Sequence, residues 1–204
     1  MWKTVLAVLG LALLRPAVDG GGAPRMLPDG SPSLAHRLLV ASEELRDPNF
    51  RRTVVLVLSH DADGAFGLVI NRPIGRVPAR VLLARMGLPT QDARGEIALA
   101  FGGPVSPELG FVLHTPEYRG VDTRLVREGI ALSGDPRVLV DIAAGRGPEA
   151  YLALVGYAGW APGQLEAELA RGDWDVVDAD PDLLFVVPPE RRWEEARSRV
   201  AVEL

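Results

Sequence analysis

The sequence predicts a single α+β domain in which short helices flank a mixed, largely antiparallel β-sheet. The chain has 204 residues, 48% of them hydrophobic and 24% charged, which is enough for one hydrophobic core. Residues 53–59 and 65–71 are apolar segments joined by the turn sequence D-x-D-G, a pattern typical of an antiparallel hairpin. The other predicted strands and helices follow one another without strict strand–helix alternation, which favours a mixed sheet over a doubly wound one.

Six further segments predict strands because each is a short, largely apolar run bounded by turn residues. They are residues 37–41, 97–101, 110–115, 123–132, 151–157 and 174–177. Gly129 predicts a bulge within the fourth, and the fifth is apolar on both faces, as central strands are. Pro73 predicts the end of the second hairpin strand, because proline cannot donate a hydrogen bond to the sheet.

Four segments have the apolar spacing of short amphipathic helices, namely residues 78–86, 136–144, 162–171 and 189–200. Gly87 and Gly172 stand where glycine commonly ends a helix. Pro162 is expected in the first turn of the third helix, where proline is tolerated. In the fourth helix, Trp193 and Ala196 fall on one face, which we expect to be buried.

The first 35 residues differ in composition from the rest of the chain. Lys3 precedes an apolar run over residues 5–14, and a stretch rich in Gly, Pro, Ser and Asp follows. The run is shorter than the roughly 20 residues that cross a bilayer, and it resembles the core of a secretory signal peptide. The alternative is a start site assigned too far upstream, with Met26 or a nearby residue as the true start. Residues 1–35 are therefore interpreted as a leader and residues 36–204 as the domain, which contains no stable transmembrane segment.

Composition excludes several chemistries. Cysteine is absent, so disulfides, thiol nucleophiles and cysteine-held metal centres are excluded. Lys3 is the only lysine, so the domain has neither a P-loop lysine nor a Schiff-base lysine. In residues 36–204, 25 acidic residues outnumber 19 arginines, and this net charge of −6 disfavours direct DNA binding. No cofactor is predicted.

Catalytic and metal-binding motifs are also missing from the sequence. No G-x-S-x-G motif is present, and the histidines that could act as bases are His36, His60 and His114. His60 lies next to the hairpin turn and its two aspartates, but turn formation alone accounts for those aspartates. His114 is interpreted as a hydrogen-bonded residue at a strand end. The sequence thus predicts no catalytic residue and no metal ligand, and it favours a protein that is not an enzyme.

Three arginines form the most suggestive pattern. Arg51 and Arg52 precede the first hairpin strand and Arg72 follows the second, so antiparallel pairing predicts all three at one end of the hairpin. Such a cluster can hold a carboxylate or a phosphate through paired hydrogen bonds. The alternative is that the arginines pair with Asp47 or other acidic residues and only fix the loop.

Six motifs follow one another along the chain: D-P-N-F-R-R-T-V-V (47–55), H-D-A-D-G (60–64), G-L-V-I-N-R-P (67–73), G-G-P-V (102–105), G-F-V-L-H (110–114) and G-Y-A-G-W-A-P-G-Q-L (156–165). In these motifs the chain resembles the YqgE/AlgH family of bacterial proteins. It departs from the family at Glu43, Ala161 and Val186. The resemblance implies a bifurcated mixed sheet, a cytoplasmic protein, a proposed role in transcriptional regulation and no agreed catalytic residue. Export to the periplasm is the alternative if residues 1–23 are a genuine signal peptide.

Our leading hypothesis is a non-catalytic regulatory or interaction protein that binds an unidentified protein through the loops at residues 47–52, 71–73 and 159–164. The alternative is an enzyme or a small-anion-binding protein that uses an arginine and histidine cluster at strand ends. The candidate binding residues are Asp47, Asn49, Arg51, Arg52, His60, Asn71, Arg72, His114, Trp160 and Gln164.

Overall fold

The computed structural model describes residues 26, 27, 30 and 32–200 of the chain. In these residues ten strands alternate irregularly with helices. The strands are β1 (Arg37–Ala41), β2 (Val54–Asp61), β3 (Gly64–Val69), β4 (Pro73–Pro78), β5 (Glu96–Phe101), β6 (Val105–His114), β7 (Arg124–Arg127), β8 (Ile130–Ser133), β9 (Tyr151–Trp160) and β10 (Trp174–Asp178).

Five short helices accompany the strands. They are α1 (Ala79–Arg85), α2 (Arg137–Ala143), α3 (Gln164–Ala170), α4 (Pro181–Phe185) and α5 (Arg192–Val200), with a 3-10 turn over Pro189–Arg191 before α5. Among the described residues, no helix is long and apolar enough to cross a membrane. The predicted α+β class with a mixed, largely antiparallel sheet is confirmed.

The ten strands form one sheet that forks at β9. Its main path runs β10-β1-β2-β3-β9-β6-β8-β7. Along one side of β9, residues near Ala158 pair with β3, whereas Ala153 to Val155 pair in parallel with β5, which in turn pairs with β4. The other side of β9 pairs with β6. The described parallel pairing is thus confined to β5 and β9, and the fork separates two branches of the sheet.

Glycines allow close backbone packing at the fork. The amide of Gly102 donates to the carbonyl of Val155, and the amide of Val69 donates to the carbonyl of Gly102, each at 2.8 Å. A Cβ atom at Gly103 would lie 2.0 Å from the carbonyl carbon of Tyr157. Gly102 and Gly103 are therefore a structural requirement of the fork.

Two hydrophobic clusters pack against the sheet. The larger one joins the strands of the main path to α4 and α5, with Leu56 and Leu113 fully buried at its centre and Leu183 contributed by α4. The smaller one packs α1 and α2 on the β5 side of the fork, around Leu83 and Ile97. The hairpin of β2 and β3 belongs to the larger cluster, which gives its loops a rigid base.

Several predicted elements were wrong in detail. Residues 123–132 form two strands, β7 and β8, because Gly129 has a φ of 77° and makes a turn between them. Pro73 begins the unpredicted strand β4, whose only described partner strand is β5, so the missing N–H of proline is tolerated. Helix α3 begins at Gln164, after Gly163 with a φ of 74°, so Pro162 lies outside it. Helix α4 was not predicted.

Candidate functional site

The structure brings Arg51, Arg52 and Arg72 together at the open end of the β2–β3 hairpin. Val55 pairs with Val69 near this end of the hairpin, so the loop before β2 and the residues after β3 are neighbours. The Arg72 guanidinium donates a hydrogen bond to the carbonyl oxygen of Arg51. We call Arg51, Arg52 and Arg72 the arginine surface.

The loop that carries Arg51 and Arg52 is ordered by its own polar groups. The carboxylate of Asp47 accepts a hydrogen bond of 2.7 Å from the amide of Asn49. The carbonyl of Asp47 accepts hydrogen bonds from the amides of Phe50 and Arg51 at 3.0 Å and 2.7 Å. Asp47 thus shapes the loop through backbone contacts, and it forms no ion pair with the arginines. The exposed Asn49 lies in the same turn.

Asn71 is buried and connects the two sides of the hairpin end. Its Oδ1 accepts a hydrogen bond from the amide of Val54, and its Nδ2 donates to the carbonyl of Arg52, both at 2.9 Å. Arg52 has a φ of 55°, a left-handed conformation that non-glycine residues seldom adopt. Such strain persists where surrounding contacts hold it in place, and it is common at functional sites.

The charges of the three arginines are unequally compensated. Arg52 forms an ion pair of 3.1 Å with Glu194, and its guanidinium lies 4.5 Å from the centre of the Trp193 ring. Among the described residues, no carboxylate forms an ion pair with Arg51 or Arg72. Partial burial and the nearby Arg51 charge lower the pKa of Arg72. Two neighbouring cations at this surface therefore have no anionic partner within the described protein.

An aromatic cluster connects the arginine loop to the loop at residues 159–164. Phe50 lies 6.3 Å from Trp160 and 5.7 Å from Trp174 between ring centres. The indole N–H groups of Trp160 and Trp174 donate to Oε2 of Glu168 at 2.8 Å. The side-chain amide of Gln164 donates to Oε1 of the same carboxylate at 2.9 Å. Trp160 is buried, so it supports the loops and does not line the surface.

His60 lies near the turn of the hairpin, at the end opposite the arginines, where it pairs with Ala65. Its ring is buried between the N-terminal segment and α3. Nδ1 accepts a hydrogen bond of 3.0 Å from the amide of Leu34, and Nε2 lies 2.8 Å from a carboxylate oxygen of Glu166. The structure therefore does not bring His60 to the arginine surface.

His114 is fully buried at the end of β6, between β8 and β9. Its Nδ1 donates to the carbonyl of Thr115 at 2.9 Å, so Nε2 accepts from the Ser133 hydroxyl at 3.0 Å. The Thr123 hydroxyl continues this chain with a contact of 2.9 Å to Ser133. Burial lowers the pKa of His114, although nearby acidic groups oppose the effect. His114 is a neutral core residue that fixes the segment between β6 and β8.

Sequence reasoning missed three buried or half-buried groups that support the site. Glu166 contacts the ring of His60, which is far away in sequence, and Glu168 accepts from the indole N–H groups of Trp160 and Trp174. Arg192 is buried and donates to the carbonyls of Ile70 and Val187, the latter at 2.9 Å. Its burial lowers its pKa to about 10. No local sequence signal identifies these residues. The contacts of Glu166 with His60 and of Arg192 with Ile70 join distant parts of the chain, and those of Glu168 depend on how α3 packs against the neighbouring strands.

The site is suited to binding through hydrogen-bond donors. The arginine surface presents guanidinium groups, while the rings of His60 and His114 are buried elsewhere. Within the described residues, no group of three or more histidines, aspartates and glutamates is arranged to hold a metal ion. Guanidinium groups bind carboxylates and phosphates through paired, charge-assisted hydrogen bonds.

The fold and the site define a single-domain α+β protein whose forked sheet carries an arginine-lined surface at the open end of its first hairpin. The model of the AlgH-like family (DUF179) matches residues 38–204. The chain belongs to the AlgH-like family, as its motifs predict.

Relatives with known sequences or structures agree with this membership. A UPF0301 protein of Methylococcus capsulatus is 44% identical over 181 residues, which are 89% of this chain and 99% of that protein. The solution structure of the AlgH protein from Pseudomonas aeruginosa is 41% identical, with a TM-score of 0.69 over 82% of this chain and 89% of that one. A Corynebacterium diphtheriae protein, 22% identical, shares the fold with a TM-score of 0.63, covering 83% of this chain and 87% of that one.

Proposed function

We propose that the protein is a non-catalytic interaction protein that recognises an acidic segment of a partner protein through the arginine surface. The observation that carries the proposal is the adjacency of Arg51 and Arg72 without an anionic partner among the described residues. Repulsion between the two cations disfavours the free surface. A carboxylate bound between them removes that repulsion and gains charge-assisted hydrogen bonds of about 1.5–3 kcal/mol each.

Preorganisation of the surface supports the same function. Asp47 orders the loop, Asn71 holds the backbone of Arg52, and Phe50 anchors the loop on Trp160 and Trp174. A ligand therefore binds loops that are already ordered, which lowers the conformational entropy lost on binding. Functional residues often lie on loops that a rigid scaffold positions in this way.

Net charge restricts the kind of partner. The domain carries a charge of −6, so an acidic partner is repelled at long range and attracted only where the arginines contact it directly. The same negative net charge disfavours binding to duplex DNA, whose phosphates attract basic proteins. We therefore propose that any role in transcriptional regulation operates through contact with another protein, in the cytoplasm.

A titration followed by NMR tests this function. We expect a short glutamate-rich peptide to shift the Nε–H signals of Arg51, Arg52 and Arg72. The exposed arginines of α1, Arg80 and Arg85, serve as internal controls and keep their positions. Equal shifts at all five arginines, or none, would reject the proposal. Inorganic phosphate is titrated in the same way. If the ligand is a small anion, phosphate shifts the Nε–H signals of Arg51, Arg52 and Arg72 and the peptide does not.

The alternative of an enzyme with a combined arginine and histidine site has less support. His60 lies at the opposite end of the hairpin and His114 is fully buried in the other half of the sheet. The alternative is thus reduced to anion binding by the arginines alone, which the phosphate titration measures.

The cellular compartment of the protein depends on whether the leader is a signal peptide. Residues 1–25 of the leader lie outside the described residues. We propose a cytoplasmic protein that keeps Met1 or begins at or near Met26. Mass spectrometry of the protein from its native host measures the mature N-terminus. A start between residues 20 and 24, in the Gly- and Ala-rich stretch, would instead demonstrate export.

A further inference from the structure

Strand β4 is an exposed edge of the sheet. Among the described strands it pairs with β5 alone, so no strand lies along its other side. Five of its six residues are exposed, and the sixth, Val77, is half-buried. An edge of this kind presents N–H and C=O groups that can pair with an extended segment of another chain. One side of β4 is therefore open to strand addition.

Pairing with β5 defines which backbone groups of β4 face the open side. The amide of Ala79, directly after β4, donates to the carbonyl of Gly95 at 3.0 Å, so the backbone of residue 79 faces the β5 side. Alternate residues of an antiparallel strand face the same neighbour, so Val77 also faces β5. Arg76, which lies between two such positions, therefore turns its N–H and C=O to the open side.

Two prolines limit the open edge to a short stretch. Pro73 and Pro78 are the first and last residues of β4, and neither has an N–H to donate. Between them, a bulge leaves Ile74 without a partner residue in β5, and this residue is 58% exposed. Proline and charged side chains commonly protect edge strands against unspecific pairing. The open edge of β4 therefore accepts only a few residues of an added strand.

Arg72 connects this edge to the arginine surface. Its guanidinium donates to the carbonyl of Arg51, and its own carbonyl accepts from the amide of Phe101 at 2.8 Å, directly before β4 begins. In the middle of the strand, Arg76 forms an ion pair of 3.1 Å with Glu96, and both of these side chains are exposed. Among the described residues, the uncompensated positive charge therefore lies at the Arg72 end of the edge.

These charges determine which kind of chain can add to the edge. A second copy of this protein would bring the same arginines to β4, and like charges that face each other across a strand pair are destabilising. A segment rich in glutamate or aspartate gains two kinds of contact, because its backbone pairs with Arg76 and its carboxylates pair with Arg72 and Arg51. The basic edge thus favours an acidic, extended segment over a second copy.

We propose that an acidic segment of a partner protein binds as an added β-strand along the open edge of β4, with its carboxylates at Arg72 and Arg51. This inference rests on the proposed function, because it specifies how the segment recognised by the arginine surface is bound. Backbone hydrogen bonds hold the segment in an extended conformation, and the arginines select acidic side chains.

Hydrogen exchange of the full chain, measured by NMR with and without a saturating glutamate-rich peptide, tests the added strand. We expect the peptide to increase the protection of the Arg76 amide at least roughly threefold, as a new backbone hydrogen bond would. The amide of Val121, which is 80% exposed before β7, should not change. If Arg51 and Arg72 respond to the peptide and the Arg76 amide does not, strand addition is wrong and the proposed function stands. Protection that rises with protein concentration in the absence of peptide would place a second copy at the edge and overturn the proposal.

Two substitutions at one position separate backbone pairing from charge. Arg76→Gln removes the charge and keeps the N–H, so its affinity for the peptide should stay within about threefold of the parent. Arg76→Pro removes the charge and also the N–H on the side away from β5, and it should bind roughly threefold to tenfold more weakly than Arg76→Gln. Equal affinities of these two variants would overturn the proposal.

The remaining outcomes are also decisive. If Arg76→Pro does not fold, the protection of the Arg76 amide in the parent protein decides. If the parent protein does not bind the peptide at all, the proposed function is rejected and this inference is rejected with it.

Discussion

Asn71 donates a hydrogen bond of 2.9 Å to the carbonyl oxygen of Arg52 and holds this residue in its left-handed conformation. The same side chain accepts from the amide of Val54, so it satisfies polar groups on both sides of the hairpin end. The shape of the arginine surface thus depends on one buried amide.

The substitution Asn71→Ala removes both hydrogen bonds and leaves the buried amide of Val54 without its acceptor. We expect the free energy of unfolding to fall by about 2–3 kcal/mol, measured by urea denaturation. Asn49→Ala, in the exposed part of the neighbouring loop, is the control and should change it by less than about 0.5 kcal/mol. Equal effects of the two substitutions would show that Asn71 does not support the site.

Glu168→Ala tests the link between α3 and the aromatic cluster. Both indole N–H donors, of Trp160 and Trp174, lose their acceptor at once. We expect a loss of about 2–4 kcal/mol in unfolding free energy and a shift in tryptophan fluorescence. Gln164→Ala removes the exposed third donor to Glu168 and the exposed acceptor of the Ala161 amide, and it should cost less than about 1 kcal/mol. A mild effect of Glu168→Ala would contradict the role of this carboxylate.

Gly103→Ala tests the close packing at the fork. The added Cβ would lie 2.0 Å from the Tyr157 backbone, so the strands must separate. We expect destabilisation above about 4 kcal/mol or failure to fold, measured by thermal unfolding or soluble yield. Gly110→Ala, whose Cβ would have its nearest contact at 4.0 Å, is the control and should remain within about 1 kcal/mol of the parent. A stable Gly103→Ala protein would refute this description of the fork.

The buried His114 predicts a pH dependence of stability. Burial lowers its folded-state pKa below the ordinary value of 6.5, so the unfolded chain binds more protons in the range between the two values. The stability contribution is complete above about pH 6.5 and is lost as the pH falls through the folded-state pKa.

Urea denaturation of His114→Gln and the parent at several pH values measures this contribution. The variant should be less stable at neutral pH, but its stability should fall less between pH values of about 7 and 5. Glu117 and Asp135, whose pKa values are lowered by hydrogen bonds, lose their contributions only in more acidic solution. Parallel curves for the two proteins would contradict a lowered pKa of His114.

Local patterns in the sequence predicted much of the fold. The apolar segments around D-A-D-G predicted the β2–β3 hairpin. The helical spacing of apolar residues predicted α1 and α2 to within about a turn of their bounds. The errors fall where tertiary contacts override local signals. Pro73 was predicted to end a strand, yet it begins one, because β5 is the only partner of β4 among the described strands. Gly129 was predicted to be a bulge within one strand. It makes a turn, because β8 pairs with both β7 and β6.

The site was only partly predictable. Arg51, Arg52 and Arg72 come together in any fold that contains the β2–β3 hairpin, because antiparallel pairing places both of its ends side by side. The buried positions of His60 and His114 depend on α3, β8 and β9, which are far away in sequence. Glu168 carries no motif, and only the packing of α3 on the sheet reveals its partners.

The affinity of the protein for a fluorescently labelled, glutamate-rich peptide tests the central proposal most directly. The double variant Arg51→Gln/Arg72→Gln should bind roughly tenfold to a hundredfold more weakly than the parent, because it loses two charge-assisted contacts. The control Arg80→Gln/Arg85→Gln changes the net charge equally but alters exposed residues of α1, and its affinity should stay within about twofold of the parent. Equal affinities of the two double variants would contradict a binding role for the arginine surface.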